Sequence, residues 1–307
     1  MLELIKSDIN LDYVGKFKVT APFSFLLVAA SIVLLFTKMV YGVDFRGGAE
    51  VQLKFAKTVE MDTIRKSMSD GGFKGVSVQT IGEAADNEVL LKVQGDETNL
   101  NQITTEVEAA LLKSFSNEGV EIRKVDIVGP KAGAQLRISG FQAMLWALIA
   151  IMVYIGLRFD FKYSPGAIVA LFHDVTIILG IYALTGTEFT LQTVAALLAV
   201  IGYSVNDTVI VYDRVREHEE KYPGVDLKTH INRAVNETMS RTILTSSTTL
   251  FVSLAMFFLG GAAIHDFFLA ITCGVVIGTY SSIFVAAPVT LMLDRFNQGR
   301  EPAKVSA

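Results

Sequence analysis

Uncharged runs long enough to cross a bilayer dominate this sequence. Val19 to Thr37 carries no charged residue, and neither does 138–157, between Arg137 and Arg158. About 20 apolar residues in a helix span the hydrocarbon core of a membrane. Further runs cover 166–184, 189–212, 242–260 and 267–293, broken only by a few polar groups. The chain is 51% hydrophobic and 19% charged, where a soluble domain carries about 25% charged residues. The fold class is therefore a polytopic α-helical membrane protein with six transmembrane helices. The first is 19–41, ending with Tyr41 at an interface. Its apolar core is longer than that of a signal peptide and is followed by Lys38-Met39-Val40-Tyr41, so it reads as an uncleaved helix.

Residues 42–137 change character. Glu50–Phe55 alternates apolar and polar residues, as a strand does. Thr58–Ser69 places Val59, Met61, Ile64 and Met68 at helical spacing before Gly71-Gly72. Val76–Ile81 and Glu88–Val93 read as short strands, Glu97–Phe115 as a helix, and Val120–Val128 as a last strand before Gly129-Pro130. The order βαββαβ predicts an α+β, ferredoxin-like domain between the first and second membrane helices. Gly42-Val43-Asp44-Phe45-Arg46-Gly47-Gly48 joins it to the first helix, and its glycines suit a sharp turn or a close backbone approach.

Lys and Arg in the short connections set the orientation. The segment 1–18 has Lys6, Lys16 and Lys18, and the connection after the second helix has Arg158 and Lys162 beside Asp160. The charged loop 213–241 holds Arg214, Arg216, Lys221, Lys228, Arg233 and Arg241; the tail 294–307 holds Arg295, Arg300 and Lys304. The turns 185–188 and 260–266 have neither residue type. Both termini are thus expected in the cytoplasm and 42–137 on the opposite side. The lone Cys273 excludes a disulfide framework, and no basic patch with interleaved aromatics supports nucleic-acid binding.

The costly residues are the polar ones inside apolar runs. An ionised carboxylate at mid-membrane costs about 3 kcal/mol on insertion scales. Asp207, beside Asn206, lies about 10 Å from the cytoplasmic end of its helix at 1.5 Å per residue. It reads first as a proton or cation site, because a carboxyl whose surroundings change can change its protonation with them. The alternative is a hydrogen bond that fixes packing. Arg241 opens the fifth helix and by spacing alone is a positive-inside anchor. The hydroxyls of Thr245, Thr248 and Thr249 near its face suggest a hydrated path or interhelical bonding. His173-Asp174, midway in the third helix, suits a relay or a packing network equally. Asp213 with Arg214 reads as an interfacial pair, and Glu188 and His265-Asp266 as solvated turn residues. Gly274 and Gly278 have the spacing for close helix approach.

These residues carry a resemblance over roughly 12–295. Gly42–Gly48, Val128-Gly129-Pro130, 170–174 ending in His173-Asp174, Ile201–Thr208, Asp213–Glu217, Ser240-Arg241-Thr242 and Gly278–Ser282 occur together and in order. In this the sequence resembles the SecD/SecF family of bacterial protein export, on the SecF side, within the resistance-nodulation-division superfamily. Arg46 departs from the pattern, where many relatives carry a small polar residue. The resemblance implies a subunit of the bacterial inner membrane with 42–137 periplasmic. It implies no enzyme activity and no cofactor, with protons as the coupling ion. The implied partners are SecD, the SecYEG translocon, YajC and YidC, the translocating polypeptide and the lipid bilayer. Asp207 resembles the family's proton-carrying carboxylate and Arg241 the arginine of the same path. Asn206, Asp213, His173, Asp174 and Thr245 stand as further pathway or packing residues. A half-transporter exporting a small molecule or lipid is the competing reading. The outer domain, with no large apolar surface visible in its sequence, argues against it.

Overall fold

The computed structural model describes residues 11–73, 75–81, 86–94, 100–115, 119–159 and 161–298. Lys6, Asp160, Arg300, Lys304 and the expected helix start at Glu97 lie outside the described residues. Six helices among those described are long and apolar enough to cross a membrane. They are α1 (Phe17–Lys38), α5 (Pro130–Arg158), α6 (Ser164–Thr185), α7 (Leu191–Lys221), α8 (Leu227–Leu259), and a last one formed by α9 (Ala262–Ser281) continuing through a wide turn into α10 (Ala287–Gln298).

The helices outrun the apolar segments that announce them, because a helix does not stop where the membrane does. α5 begins at Pro130, ahead of the expected 138. Extended Gly129 precedes it, and proline at the first helical position forfeits no hydrogen bond there. The loop expected at 213–241 is mostly helix: α7 runs on to Lys221 and α8 starts at Leu227. Pairs one turn apart, Arg216–Glu220 and Arg233–Glu237, each at 3.0 Å, suit exposed helix faces. The inner faces bury Val211, Tyr212, Val215, Ile231, Ala234 and Val235 together with Val14. The sixth span widens into a π-type turn over Ser282–Ala286. Pro288 follows it; lacking an N–H, proline crowds the carbonyl four residues back, and a widened turn relieves that clash.

Small residues set the helix crossings. A side chain at Gly180 would collide with Ser31 of α1. One at Gly274 would collide with Val200 of α7, and one at Gly278 would meet Ser204 Cβ at 3.0 Å. Close approach through small residues is the usual glue of membrane bundles. α6 is the central helix, with 67% of its span buried inside the chain, whereas α1, α5 and α8 bury 11%, 17% and 17%.

The outer domain is a four-stranded antiparallel sheet: β2 (Gly48–Phe55), β3 (Ser77–Ile81), β4 (Glu88–Gln94) and β5 (Val120–Val128), in the order β3-β4-β2-β5. Val51 pairs with Leu91 on one side and Val125 on the other. α3 (Met61–Asp70) and α4 (Leu100–Ser114) cover one face, where Val51, Leu53, Leu91 and Val93 pack on Ile64, Met68, Val107 and Leu111.

The junction with the membrane part is tight. A short helix, α2 (Val43–Arg46), follows β1 (Val40–Tyr41), and β1 pairs in parallel with β6 (Glu188–Phe189) just ahead of α7. Gly47 has φ +89° and Gly48 φ +149°, backbone that favours glycine. A Cβ at Gly47 would lie 2.8 Å from the Pro130 nitrogen, and one at Gly48 would collide with the Val93 carbonyl. Gly48→Val is therefore expected to prevent β2 from seating against β4. Limited proteolysis of the membrane-inserted chain would show the outer domain degraded, and a protease-resistant domain would refute this.

Candidate functional site

Asp207 is 1% exposed in the interior of α7, and neither carboxylate oxygen has a hydrogen-bond partner among the described residues. The groups that act on it electrostatically are the Ser246 hydroxyl and the Arg241 guanidinium, both of α8. Ser246 is otherwise engaged, 2.6 Å from Thr279 Oγ1 and 3.3 Å from the Tyr203 hydroxyl that donates to it. Arg241 is exposed and lines a polar pocket of about 490 Å³ with Asn206, Asp213, Arg214, Arg158 and Glu237. Helical phase explains the division. Asn206 and Asp207 are adjacent and so point about 100° apart: Asn206 is exposed at the pocket and Asp207 buried in the bundle.

The residues expected around this site fare differently. Asp213 pairs with Arg158 at 3.5 Å, not with Arg214, which instead reaches Glu217 at 2.6 Å and Glu237 at 3.2 Å. The Thr245 hydroxyl is engaged by its own helix. It donates to the carbonyls of Arg241 and Thr242, each at 3.1 Å, and Thr248 and Thr249 likewise bond back to their own helix. Short hydroxyl side chains in a helix readily find the carbonyl one turn back, so the stripe is largely self-satisfied; Ser246 is the hydroxyl on this stretch that reaches another helix. Glu188, expected in solvent, meets Lys92 Nζ at 3.2 Å. His265 lies 4.2 Å from the Phe257 ring, and the Asp266 carbonyl accepts the Tyr182 hydroxyl.

A second carboxylate is buried where α6, α7 and α9 meet. Asp174 is 1% exposed and fully engaged. Its Oδ1 lies 3.0 Å from His173 Nδ1, and its Oδ2 accepts from Ser204 at 2.6 Å and Ser281 at 2.8 Å. The His173 ring stacks on Tyr280, whose hydroxyl is 2.9 Å from Ser24 of α1. Ser204, Ser246, Ser281 and Tyr280 were not singled out by sequence reasoning. The available signal was small hydroxyl residues beside the glycines of facing helices, Ser204 near Gly202 and Ser281 near Gly278. The structure thus separates two buried acids on neighbouring elements. Asp174 is bound on both oxygens; Asp207, three residues along α7 from Ser204, is bound on neither.

The family described as "Protein export membrane protein SecD/SecF, C-terminal" matches residues 107–295, and the "SecD/SecF GG Motif" matches 32–59, which contains the Gly47-Gly48 junction. The chain is 43% identical to the protein translocase subunit SecF of Magnetococcus marinus, over 93% of this chain and 92% of that one. It is 38% identical to the SecF subunit of Calditerrivibrio nitroreducens, over 95% and 97%. A crystal structure of SecDF, a translocon-associated membrane protein from Thermus thermophilus, superposes with a TM-score of 0.80 at 34% identity. That match covers 95% of this chain and 39% of the solved one, so the chain spans about two fifths of the SecDF polypeptide. A SecDF structure in a super-membrane-facing form matches with a TM-score of 0.73 at the same identity. A polytopic helical membrane protein with this junction and these matches belongs to the SecD/SecF family of protein export membrane proteins, on the SecF side.

Proposed function

We propose that the chain is the SecF-type half of a proton-driven unit that assists protein translocation across the bacterial inner membrane. It acts there as an accessory of the SecYEG channel and not as an enzyme. The observation that carries the reading is Asp207: a buried, unpartnered carboxylate in a spanning helix, acted on by an arginine of the next helix. Intramembrane ionisable groups of this kind are functional by default. Movement of Arg241 toward or away from Asp207 changes whether the carboxyl holds its proton. Protonation in turn shifts the balance between two arrangements of α7 and α8. One charge crossing 100 mV releases about 2.3 kcal/mol, enough to shift a two-state equilibrium roughly fifty-fold.

The poorly buried faces of α1, α5 and α8 support a SecD-type partner that completes the bundle and supplies the rest of the path. YajC and YidC belong to the same assembly in this reading, and the translocating polypeptide is its substrate. The charge balance of the connections supports cytoplasmic termini and a periplasmic outer domain. The element order βαββαβ and the strand order β3-β4-β2-β5 support a ferredoxin-like fold for that domain. In cells depleted of their own SecF-type subunit, the chain expressed with its SecD-type partner is expected to restore export of a signal-bearing protein. A tag on the chain should retrieve that partner together with SecYEG. Failure of both would overturn the proposal.

A further inference from the structure

Four contacts converge on the short segment that leads into α7. β1 and β6 pair in parallel, Val40 with Glu188 and Tyr41 with Phe189, and the Gly42 N–H donates to the Phe189 carbonyl at 2.9 Å. Phe189 is buried in an aromatic nest, with ring centroids 5.2 Å from Phe45, 6.0 Å from Tyr41 and 6.1 Å from Phe141. Asp44 Oδ2 accepts the N–H of Leu191, the first residue of α7, at 2.9 Å. That N–H is one of the four a helix cannot satisfy internally, and a carboxylate there also suits the helix dipole.

The fourth contact reaches into the outer sheet. Lys92 of β4 stands directly opposite Glu50 of β2, on the sheet face away from α3 and α4. Its Nζ lies 3.2 Å from Glu188 and 3.6 Å from Glu50, and its side chain is only 9% exposed. Burial pulls the ammonium down, but Glu188, Glu50 and Asp44 outweigh it and hold Lys92 above the ordinary lysine value. Burial pushes the Glu50 carboxyl up against the opposing pull of Lys92. An ion cluster of this kind is a poor source of stability compared with apolar packing. What it provides is a position-specific tie between two bodies.

We propose that Lys92, Glu188 and Asp44 are positioning residues that latch the outer domain to the head of α7, so that the domain and the helix carrying Asp207 move together. This deepens the proton-driven reading, since the latch transmits to the outer domain whatever rearrangement α7 undergoes. The geometry favours α7 over the covalent links alone. The outer domain is joined by chain only to α1 and α5, and neither carries Asp207 or Arg241.

The test uses the full chain in complex with its SecD-type partner. Lys92→Met and Glu188→Gln are made singly, and Lys92→Glu is combined with Glu188→Lys and Glu50→Gln. The swap keeps one cation facing one carboxylate across the same gap, and Glu50→Gln removes the like charge that would otherwise lie opposite position 92. Two readouts are taken: gradient-dependent stimulation of translocation into vesicles, and amide hydrogen exchange over 40–48 and 186–194. Each single variant is expected to reduce the stimulation at least three-fold and to speed exchange at Gly42 and Leu191 about ten-fold. Translocation without a gradient should stay unchanged, and the swap should restore both readouts. Unchanged exchange in the single variants, or a swap no better than they are, overturns the latch. Asp207→Asn run in parallel separates the two ideas. If it translocates normally, the proton reading falls, while exchange still decides whether the latch exists.

Discussion

Replacing Asp207 with asparagine is expected to abolish the gradient-dependent part of translocation while leaving the chain folded and assembled. The substitution keeps the side chain's size, so it opens no cavity beside Ser246 and displaces no helix. Neither oxygen of Asp207 holds a hydrogen bond among the described residues, so no native bond is broken. What is removed is the ability to gain and lose a proton. Translocation into inverted vesicles should fall to the rate seen without a gradient and stay there when a gradient of about 100 mV is imposed, forfeiting the ~2.3 kcal/mol per charge on which the mechanism depends. Arg241→Gln should give the same phenotype, because the carboxyl would lose the charge that distinguishes its two surroundings. A normal gradient response in Asp207→Asn with wild-type assembly would remove the proton site from this chain.

Much of this organisation is legible in the sequence because it rests on one-dimensional signals. A bilayer's thickness sets the length of an apolar run, so six spans can be read by eye. The alternation in β2 and the stripe in α3 are equally local. The helix ends were less legible. α7 and α8 continue past the apolar runs through segments such as Arg214–Lys221, whose inward face holds only Val215 and His218 among charges. Asp207 itself was legible because its cost in an apolar run is high whatever surrounds it.

Partnership was the least legible feature, since it depends on which helix faces which. Adjacent residues on α7 point into different environments, and only the packing tells Asn206 at the pocket from Asp207 inside. The threonines of α8 suggest a lined path when written in a row, yet their hydroxyls turn back to their own carbonyls. Glu188 in a four-residue turn offers no hint that Lys92, far along the chain, lies across from it.

The other large effect concerns Asp174, for which relay and packing were both open. With both oxygens bound by His173, Ser204 and Ser281, its geometry is that of a clamp on three spanning helices. Asp174→Leu keeps the number of side-chain heavy atoms, removes all three bonds and leaves His173 Nδ1 and Ser204 without a partner, while Ser281 retains the Gly278 carbonyl. A hydrogen bond contributes about 1 kcal/mol in soluble proteins and roughly 0.6 kcal/mol between membrane helices. The expected loss is therefore about 2 kcal/mol, read as earlier thermal unfolding of the detergent-solubilised chain. The decisive measurement is the cycle with Ser204→Ala. Residues sharing a hydrogen bond are non-additive, whereas independent sites add. Once Asp174 is gone, Ser204 has no interhelical bond left to lose, so the double variant should be scarcely less stable than Asp174→Leu alone. Additive losses would mean that the Ser204–Asp174 bond contributes nothing to the bundle. Asp207 lies three residues beyond Ser204 on the same helix, so a clamp here also sets the rotation of α7 that keeps the unbound carboxylate facing α8. Asp174→Leu should for that reason weaken the gradient response as well, and Asp174→Asn, which retains an acceptor for one serine, should weaken it less.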